Sequence, residues 1–329
     1  MIVETREGLH CPAGGFHLDP LAPVARAVIT HAHGDHARPG SGEYLCAAPS
    51  VELLRRSFGP DARIEGVPYG EARLLGEVRV SFHPAGHMLG SAQVRLERGG
   101  EVWVFSGDYK READPSCAPF ELVPCDVFIT EATFGLPIFR WDEPAQVIRE
   151  LHSWWYGNPE RASVLFCYAL GKAQRILAEL ARLTDRPVWV HGAIEPPTAI
   201  ARAAGVRLLP TRLVNETERG QSFAGELVLA PITARGTTWM RRLGEHESAF
   251  ASGHMRVRGM RRRRGFDRGF ALSDHADWPG LLRTVRETGA RRVLVTHGHR
   301  ETLARYLREA LGLDAQPFGE RAAGDPEGD

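Results

Sequence analysis

Short apolar runs that stop at glycine, proline or a polar turn recur along the first 140 residues, and their length predicts strands rather than helices. Residues 26–30, Arg-Ala-Val-Ile-Thr, are β-branched and apolar and read as a buried strand. Phe16-His17-Leu18 follows Gly14-Gly15 and stops at Asp19-Pro20, which marks a short strand. Further strands are expected over 63–67, 77–83, 92–98, 101–106 and 125–130, with Gly99-Gly100 as a hairpin turn between two of them. Residues 51–58 space Val51, Leu54 and Phe58 as a helix would, and Ser50 is a natural N-cap.

The pattern changes at about residue 141. Helices are expected over 144–155, 172–183 and 197–204, alternating with strands over 163–168, 188–191 and 227–230. Strands alternating with helices predict a parallel α/β unit over 141–255, distinct from the hairpin-rich part before it. From Gly269 the chain reads as strand 270–273, helix 279–288, strand 292–296 and helix 302–311. Residues 319–329 are polar and acidic and are expected to be a disordered tail.

Six residues dominate the candidate chemistry: His31-Ala32-His33-Gly34-Asp35-His36 follow directly on the 26–30 strand. In extended chain His31 and His33 share one face, and Asp35 and His36 turn toward a second centre. A polar loop has no packing reason to choose three histidines and an aspartate. More ligand-type residues close strand-like runs elsewhere: His87 after Pro84-Ala85-Gly86, Asp108 after Ser106-Gly107, and His297 after Val295-Thr296. Strands of one sheet ending this way can converge on one edge, as a multidentate site requires. His31, His33, His87 and Asp108 are candidates for one metal; Asp35, His36, Asp108 and His297 for a second, with Asp108 shared. Seven ligands exceed the need of a mononuclear site. Imidazole suits zinc, iron or manganese, and the carboxylates add hard character. Two ions about 3.5–4 Å apart can activate a shared water for displacement at phosphorus.

Composition narrows the class. The chain has 329 residues, 43% hydrophobic and 25% charged, with a formal net charge of zero, so any polyanion site must be a local patch. Its five cysteines are widely spaced with no C-x-x-C pair, which argues against a disulfide framework or a cysteine-zinc site. No signal-like or membrane-spanning run is evident, and a cytoplasmic location with no membrane partner is expected.

The motifs resemble those of the metallo-β-lactamase superfamily, and within it the β-CASP nucleases. His31-Ala32-His33-Gly34-Asp35-His36 is similar to the superfamily signature. Asp19 resembles the first family motif, His87 and Asp108 the third and fourth, and Glu131, in Thr130-Glu131-Ala132-Thr133-Phe134, motif A. His275, in Ser273-Asp274-His275-Ala276-Asp277, resembles motif B, and His297 motif C, with His299 a rival two residues on. The nearest group is the bacterial ligase-associated DNA exonucleases. The resemblance implies a metallo-β-lactamase αββα sandwich from residues 1–140 and 256–329, with residues 141–255 as an inserted α/β β-CASP domain. It implies two divalent ions, zinc or manganese, and a metal-dependent phosphodiesterase acting as a DNA exonuclease in repair, associated with a DNA ligase and a helicase. His275, Glu131 and Asp35 are then the catalytic residues, with His275 as general acid and Glu131 holding its other ring nitrogen. Asp19 would orient a ligating imidazole. The alternative for His275 is a cap on the helix starting near Pro279, and for Glu131 an arginine partner.

Rival readings are an RNA nuclease, since Artemis-type DNA nucleases have valine where His297 stands, and a small-molecule thioester or lactone hydrolase. Tryptophan is usual in the family at the position of His254. For substrate contact the candidates are Arg256 and Arg261, in a run that also holds Arg258, Arg262, Arg263, Arg264 and Arg268, and Lys172, at a helix start suited to phosphate. Lys172 and Lys110 are the only lysines among 41 basic residues. Trp154, Trp155 and Tyr156 read as core or as base-stacking residues.

Overall fold

The computed structural model describes residues 1–218, 220–259 and 265–319, in two compact units. The first comprises Met1–Ala113, Cys117–Phe139 and the described residues from His275 onward; the second comprises Asp114–Ser116 and the described residues of Arg140–Asp274.

The first unit opens with β1 (Val3–Thr5), β2 (Gly8–Cys11), β3 (Phe16–Leu18), β4 (Arg26–Ile29), β5 (Glu43–Ala47) and β6 (Ile64–Val67), which lie side by side in that order. Helix α1 (Val51–Phe58) joins β5 to β6. A second sheet begins with β7 (Ala72–Leu75), β8 (Val78–Pro84), β9 (Ala92–Arg98), β10 (Glu101–Phe105) and β11 (Val127–Thr130). β8, β9 and β10 are successive antiparallel neighbours, so β8 and β10 run the same way, and β11 is parallel to β10.

In the second unit α2 (Pro144–Tyr156) precedes β12 (Ala162–Phe166), α3 (Lys172–Leu180), β13 (Val188–Val190), α4 (Glu195–Ala203), β14 (Thr211–Leu213), β15 (Leu227–Ala230), β16 (His246–Ala251) and β17 (Arg268–Phe270). The strands form a parallel sheet in the order β14-β13-β15-β12-β16-β17. β12 is buried along its whole length, as expected of a parallel strand covered on both faces. Leu165 joins the α2 and α3 core, whereas Val164 and Phe166 join the opposite one, as period-two alternation requires. Trp154 and Trp155 belong to the first of these cores; they are packing residues, not a stacking platform.

The chain returns to the first unit with α5 (Trp278–Glu287), β18 (Arg292–Val295), α6 (Arg300–Leu311) and β19 (Asp314–Pro317). β18 lies parallel to β11, so the second sheet reads β19-β18-β11-β10-β9-β8-β7. One core joins Phe16, Leu18, Val28 and Leu45 of the first sheet to Val80, Phe82, Leu96, Phe105 and Ile129 of the second. Another joins Val104, Phe128 and Val293 to Leu281, Val285, Leu303 and Leu307 of α5 and α6. The fold is therefore mixed α/β with several sheets.

The strand expected over 270–273 stops at Phe270. Beyond it the carbonyls of Leu272 and Ser273 are taken by side chains instead of a strand ladder. β17 pairs with β16, and the described residues of 256–274 group with the second unit. Cys11, Cys46, Cys125 and Cys167 are free thiols. No described helix is long and apolar enough to cross a membrane. The tail expected over 319–329 lies outside the described residues from 320 onward.

Candidate metal centre

Every candidate ligand sits just beyond the C-terminal end of a strand or in the loop that follows. β4 leads to Thr30 and His31, β8 to His87, β10 to Asp108, β11 to Glu131 and β18 to His297. Because β8, β10, β11 and β18 run the same way, their ends open on one edge of the second sheet. The Ala92 N–H donates to Thr30 O at 2.9 Å, which ties the end of β4 to that edge. Close approach is needed there. Gly107 has φ +53°, and a Cβ on it would lie 2.7 Å from Thr30 Cβ. Asp19 and His297 adopt φ +39° and +53° without being glycine, which places backbone strain at the site.

His31, His33, His87 and Asp108 offer ligand atoms that all lie within 4.8 Å of one another. His33 Nδ1 is 3.2 Å from His31 Nε2 and 3.1 Å from His87 Nε2. Asp108 Oδ2 is 3.4 Å from His31 Nε2 and 3.8 Å from His87 Nε2. The three rings stand nearly perpendicular to one another, at 79° to 86°. On the other side of Asp108, its Oδ2 is 3.3 Å from His36 Nε2, which is 3.5 Å from Asp35 Oδ2. The His297 ring stacks on His36 with centroids 5.0 Å apart. Asp35, His36 and His297 thus lie beside the tight group without joining it.

Counting protons shows what these nitrogens want. Thr30 Oγ1 gives its proton to Asp19 Oδ2 at 2.6 Å, so it accepts from His31 Nδ1–H at 3.0 Å. His31 Nε2 is left with a lone pair. Thr296 Oγ1 donates to Thr130 O and accepts from His297 Nδ1–H at 3.0 Å, with the same result. His36 Nδ1–H donates to Asp19 Oδ2 at 2.7 Å. Its buried Nε2 faces the carboxylates of Asp35 and Asp108, at 3.5 Å and 3.3 Å. Lone pairs and carboxylates gathered in a buried place demand positive charge, so the residues fit divalent cations.

The ionisation tendencies agree. Burial pushes His31 down to about 4, with His36 adding repulsion. Burial also lowers His87, helped by His275, and lowers His297, helped by His36. Neutral imidazole is the ligating form. Burial opposes a charge on His36, but Asp108 and Asp35 outweigh it and raise its pKa well above the usual value. Without a metal, a proton on His36 supplies the charge this pocket requires. Burial works against ionised Asp108 too, yet His36 and His275 hold it well below the ordinary carboxylate range.

His275 and Glu131 form a second group with Asp108. His275 Nδ1 lies 2.9 Å from Glu131 Oε2, and Glu131 Oε1 accepts the Tyr109 N–H at 2.7 Å. Both side chains are buried. Burial raises the Glu131 carboxyl above its usual value, against the pull of His275. The cap of α5 is Asp277, whose carboxylate accepts from Gly280 N–H at 2.8 Å, and the partners of Glu131 include His275, the Tyr109 amide and Thr133. The His275 ring centroid is 4.7 Å from that of His87.

The substrate candidates fare differently. Lys172 is fully buried, its Nζ 3.1 Å from Asp274 Oδ2 and donating to Leu272 O. The expectation that it meets phosphate is therefore corrected: its charge is spent on a buried carboxylate. Arg256 pairs with Asp142 at 2.8 Å on the surface. Arg261 lies outside the described residues, as do Arg262, Arg263 and Arg264. His254 is buried. Reading the sequence missed Thr30 and Thr296, although Thr-His occurs at both strand ends, and it missed Arg175 and Asp114, for which a lone sequence carries no signal.

No family model matches the chain. It is 34% identical over 324 residues to a protein named probable DNA ligase from Opitutus terrae, covering 97% of this chain and 31% of that protein. It is 27% identical over 237 residues to an RNase J-like protein from Methanocaldococcus jannaschii (62% of this chain, 56% of that one). A third relative is the endoribonuclease YSH1 of Gibberella zeae, 32% identical over 120 residues, 35% of this chain and 14% of that one. The chain spans less than two thirds of each of them, and about a third of the ligase-named one. A crystal structure of a protein of unknown function from Enterococcus faecalis matches with a TM-score of 0.58 at 12% identity, over 92% of this chain and 80% of that one. That likeness concerns the fold alone.

Proposed function

We propose that the protein is a metal-dependent phosphodiesterase acting on nucleic acid, with DNA as its first substrate and exonucleolytic repair as its setting. In this reading the first unit is a metallo-β-lactamase αββα sandwich and the second a β-CASP domain. The observation that carries it is the close group of His31, His33 and His87 around Asp108, with the His275–Glu131 pair beside it. His31, His33, His87 and Asp108 would hold one divalent ion, and Asp35, His36, Asp108 and His297 a second. Such ions act as Lewis acids on phosphoryl oxygens and lower the pKa of water. The chain supplies the rest. Asp19, Thr30 and Thr296 hold the ligating rings through their Nδ1 protons. Glu131 holds His275 Nδ1–H, which leaves Nε2 as the atom that carries a proton to the departing oxygen.

DNA is supported by likeness along 97% of this chain to the protein named a probable DNA ligase. The second reading, an RNA nuclease, is supported by the two relatives named as ribonucleases and by histidine at position 297. End-labelled single-stranded DNA and RNA of one sequence, offered to the zinc- or manganese-loaded protein, decide between them. DNA is expected to shorten progressively from one end, and His33→Ala and His275→Ala to abolish the cleavage. Faster loss of RNA selects the second reading. Turnover of a thioester with neither nucleic acid cleaved removes both.

A further inference from the structure

The second unit buries a cluster of charges that the proposed chemistry does not use. Lys172 and Arg175 stand at the first and fourth positions of α3. Lys172 Nζ pairs with Asp274 Oδ2 at 3.1 Å and donates to Leu272 O at 2.9 Å. Arg175 Nη1 donates to Asp274 Oδ1 at 2.8 Å and to Ser273 O, and its Nε lies 3.6 Å from Asp114 Oδ2. Asp114 Oδ1 in turn accepts the N–H and the hydroxyl of Ser116. Lys172, Arg175, Asp274 and Asp114 are all at most 6% exposed.

Buried ion pairs are weak evidence for stability, because apolar residues of similar volume often serve as well; a role in fixing geometry explains them better. Here the geometry is specific. β17 ends at Phe270, and three consecutive residues after it are each gripped by α3: the carbonyls of Leu272 and Ser273 and the carboxylate of Asp274. The next residue in the chain is His275, whose imidazole must sit within hydrogen-bond reach of Glu131.

We infer that Lys172 and Arg175, acting through Asp274 and the two carbonyls before it, are positioning residues that hold the strap delivering His275 to Glu131. The inference rests on the reading of His275 as the proton donor to the leaving oxygen. A positioning fault should spare any substrate whose leaving group departs without a proton. Asp274→Asn keeps the side-chain shape and removes its charge. Lys172→Met leaves Asp274 paired with Arg175 and serves where Asp274→Asn does not fold.

Each variant, loaded with metal to the wild-type content, is assayed on a DNA oligonucleotide and on bis(p-nitrophenyl) phosphate. The His275 Nδ1–H resonance, identified by its loss in His275→Gln, is followed by NMR in the metal-free protein. Asp274→Asn is expected to lower kcat on the oligonucleotide about 10²-fold at unchanged KM, the low end of what a general acid contributes. Turnover of the aryl ester should be unchanged, and the resonance should shift or vanish; Lys172→Met should act in the same direction more weakly. Equal losses on both substrates, or an unmoved resonance, overturn the inference. If the wild-type protein cleaves no nucleic acid, the proposed function falls, and the resonance still decides whether this cluster positions His275.

Discussion

Thr30 and Thr296 do one job twice. Each follows the last residue of a strand, gives its own proton to a protein oxygen and takes the Nδ1 proton of the histidine that follows, which leaves that ring's Nε2 with a lone pair. Asp19 does the same for His36 while bracing Thr30 through its amide and hydroxyl. Asp19→Asn tests this cleanly, because asparagine tolerates the positive φ of that position. It replaces an acceptor oxygen with a donor beside His36. Metal affinity is expected to fall about 10- to 100-fold, as on loss of other partners that orient a metal ligand. Chelator competition measures it, and unchanged affinity would remove Asp19 from the site.

The strands and helices that could be read along the chain were those with a strong local signature. The run 26–30 announced β4, the Gly99-Gly100 pair announced the β9–β10 hairpin, and helical spacing announced α1. β7, β14 and β19 lie at sheet edges, where solvent breaks the apolar alternation, and they escaped notice. The strand at 270–273 was misjudged because the groups that intercept its carbonyls come from α3, about a hundred residues away. Helix α5 shows how a local signal persists: Asp277 caps it and Pro279 sits in its first turn. Asp277→Ala should destabilise the protein by about 1 kcal/mol, the usual cost of losing an N-cap, read as a shift of the urea midpoint with unchanged slope.

The stability of the whole molecule should depend on metal and on pH together. Metal that binds the native chain more tightly than the unfolded one stabilises it, so chelation should lower Tm. In the metal-free protein burial holds His31, His87 and His297 below their ordinary value, His31 at about 4 against 6.5. The unfolded chain then binds these protons first, so stability falls as pH drops from about 6.5 toward 4. His36 is shifted the other way; its contribution is fully present below 6.5 and is lost only as pH rises through its elevated folded value. It therefore leaves the sign on the acid side unchanged. Metal-free protein is expected to lose on the order of 3 kcal/mol between pH 7 and 4 from His31 alone. Urea unfolding at a series of pH values measures this, and a flat profile would contradict the burial of these rings.

The candidate ligand residues were legible because a metal site needs particular atoms: imidazole and carboxylate at the ends of strands can be recognised as chemistry before anything is known of their neighbours. The His31–His36 run, His87, Asp108 and His297 needed no partner to be noticed. Lys172 was misread for the opposite reason. A lysine at a helix start looks like a phosphate contact until one knows that Asp274 meets it inside the protein. Local propensity and side-chain chemistry travel with the chain, so they can be read from its order; the partner of a buried charge lies across long sequence separations, and only folding chooses it.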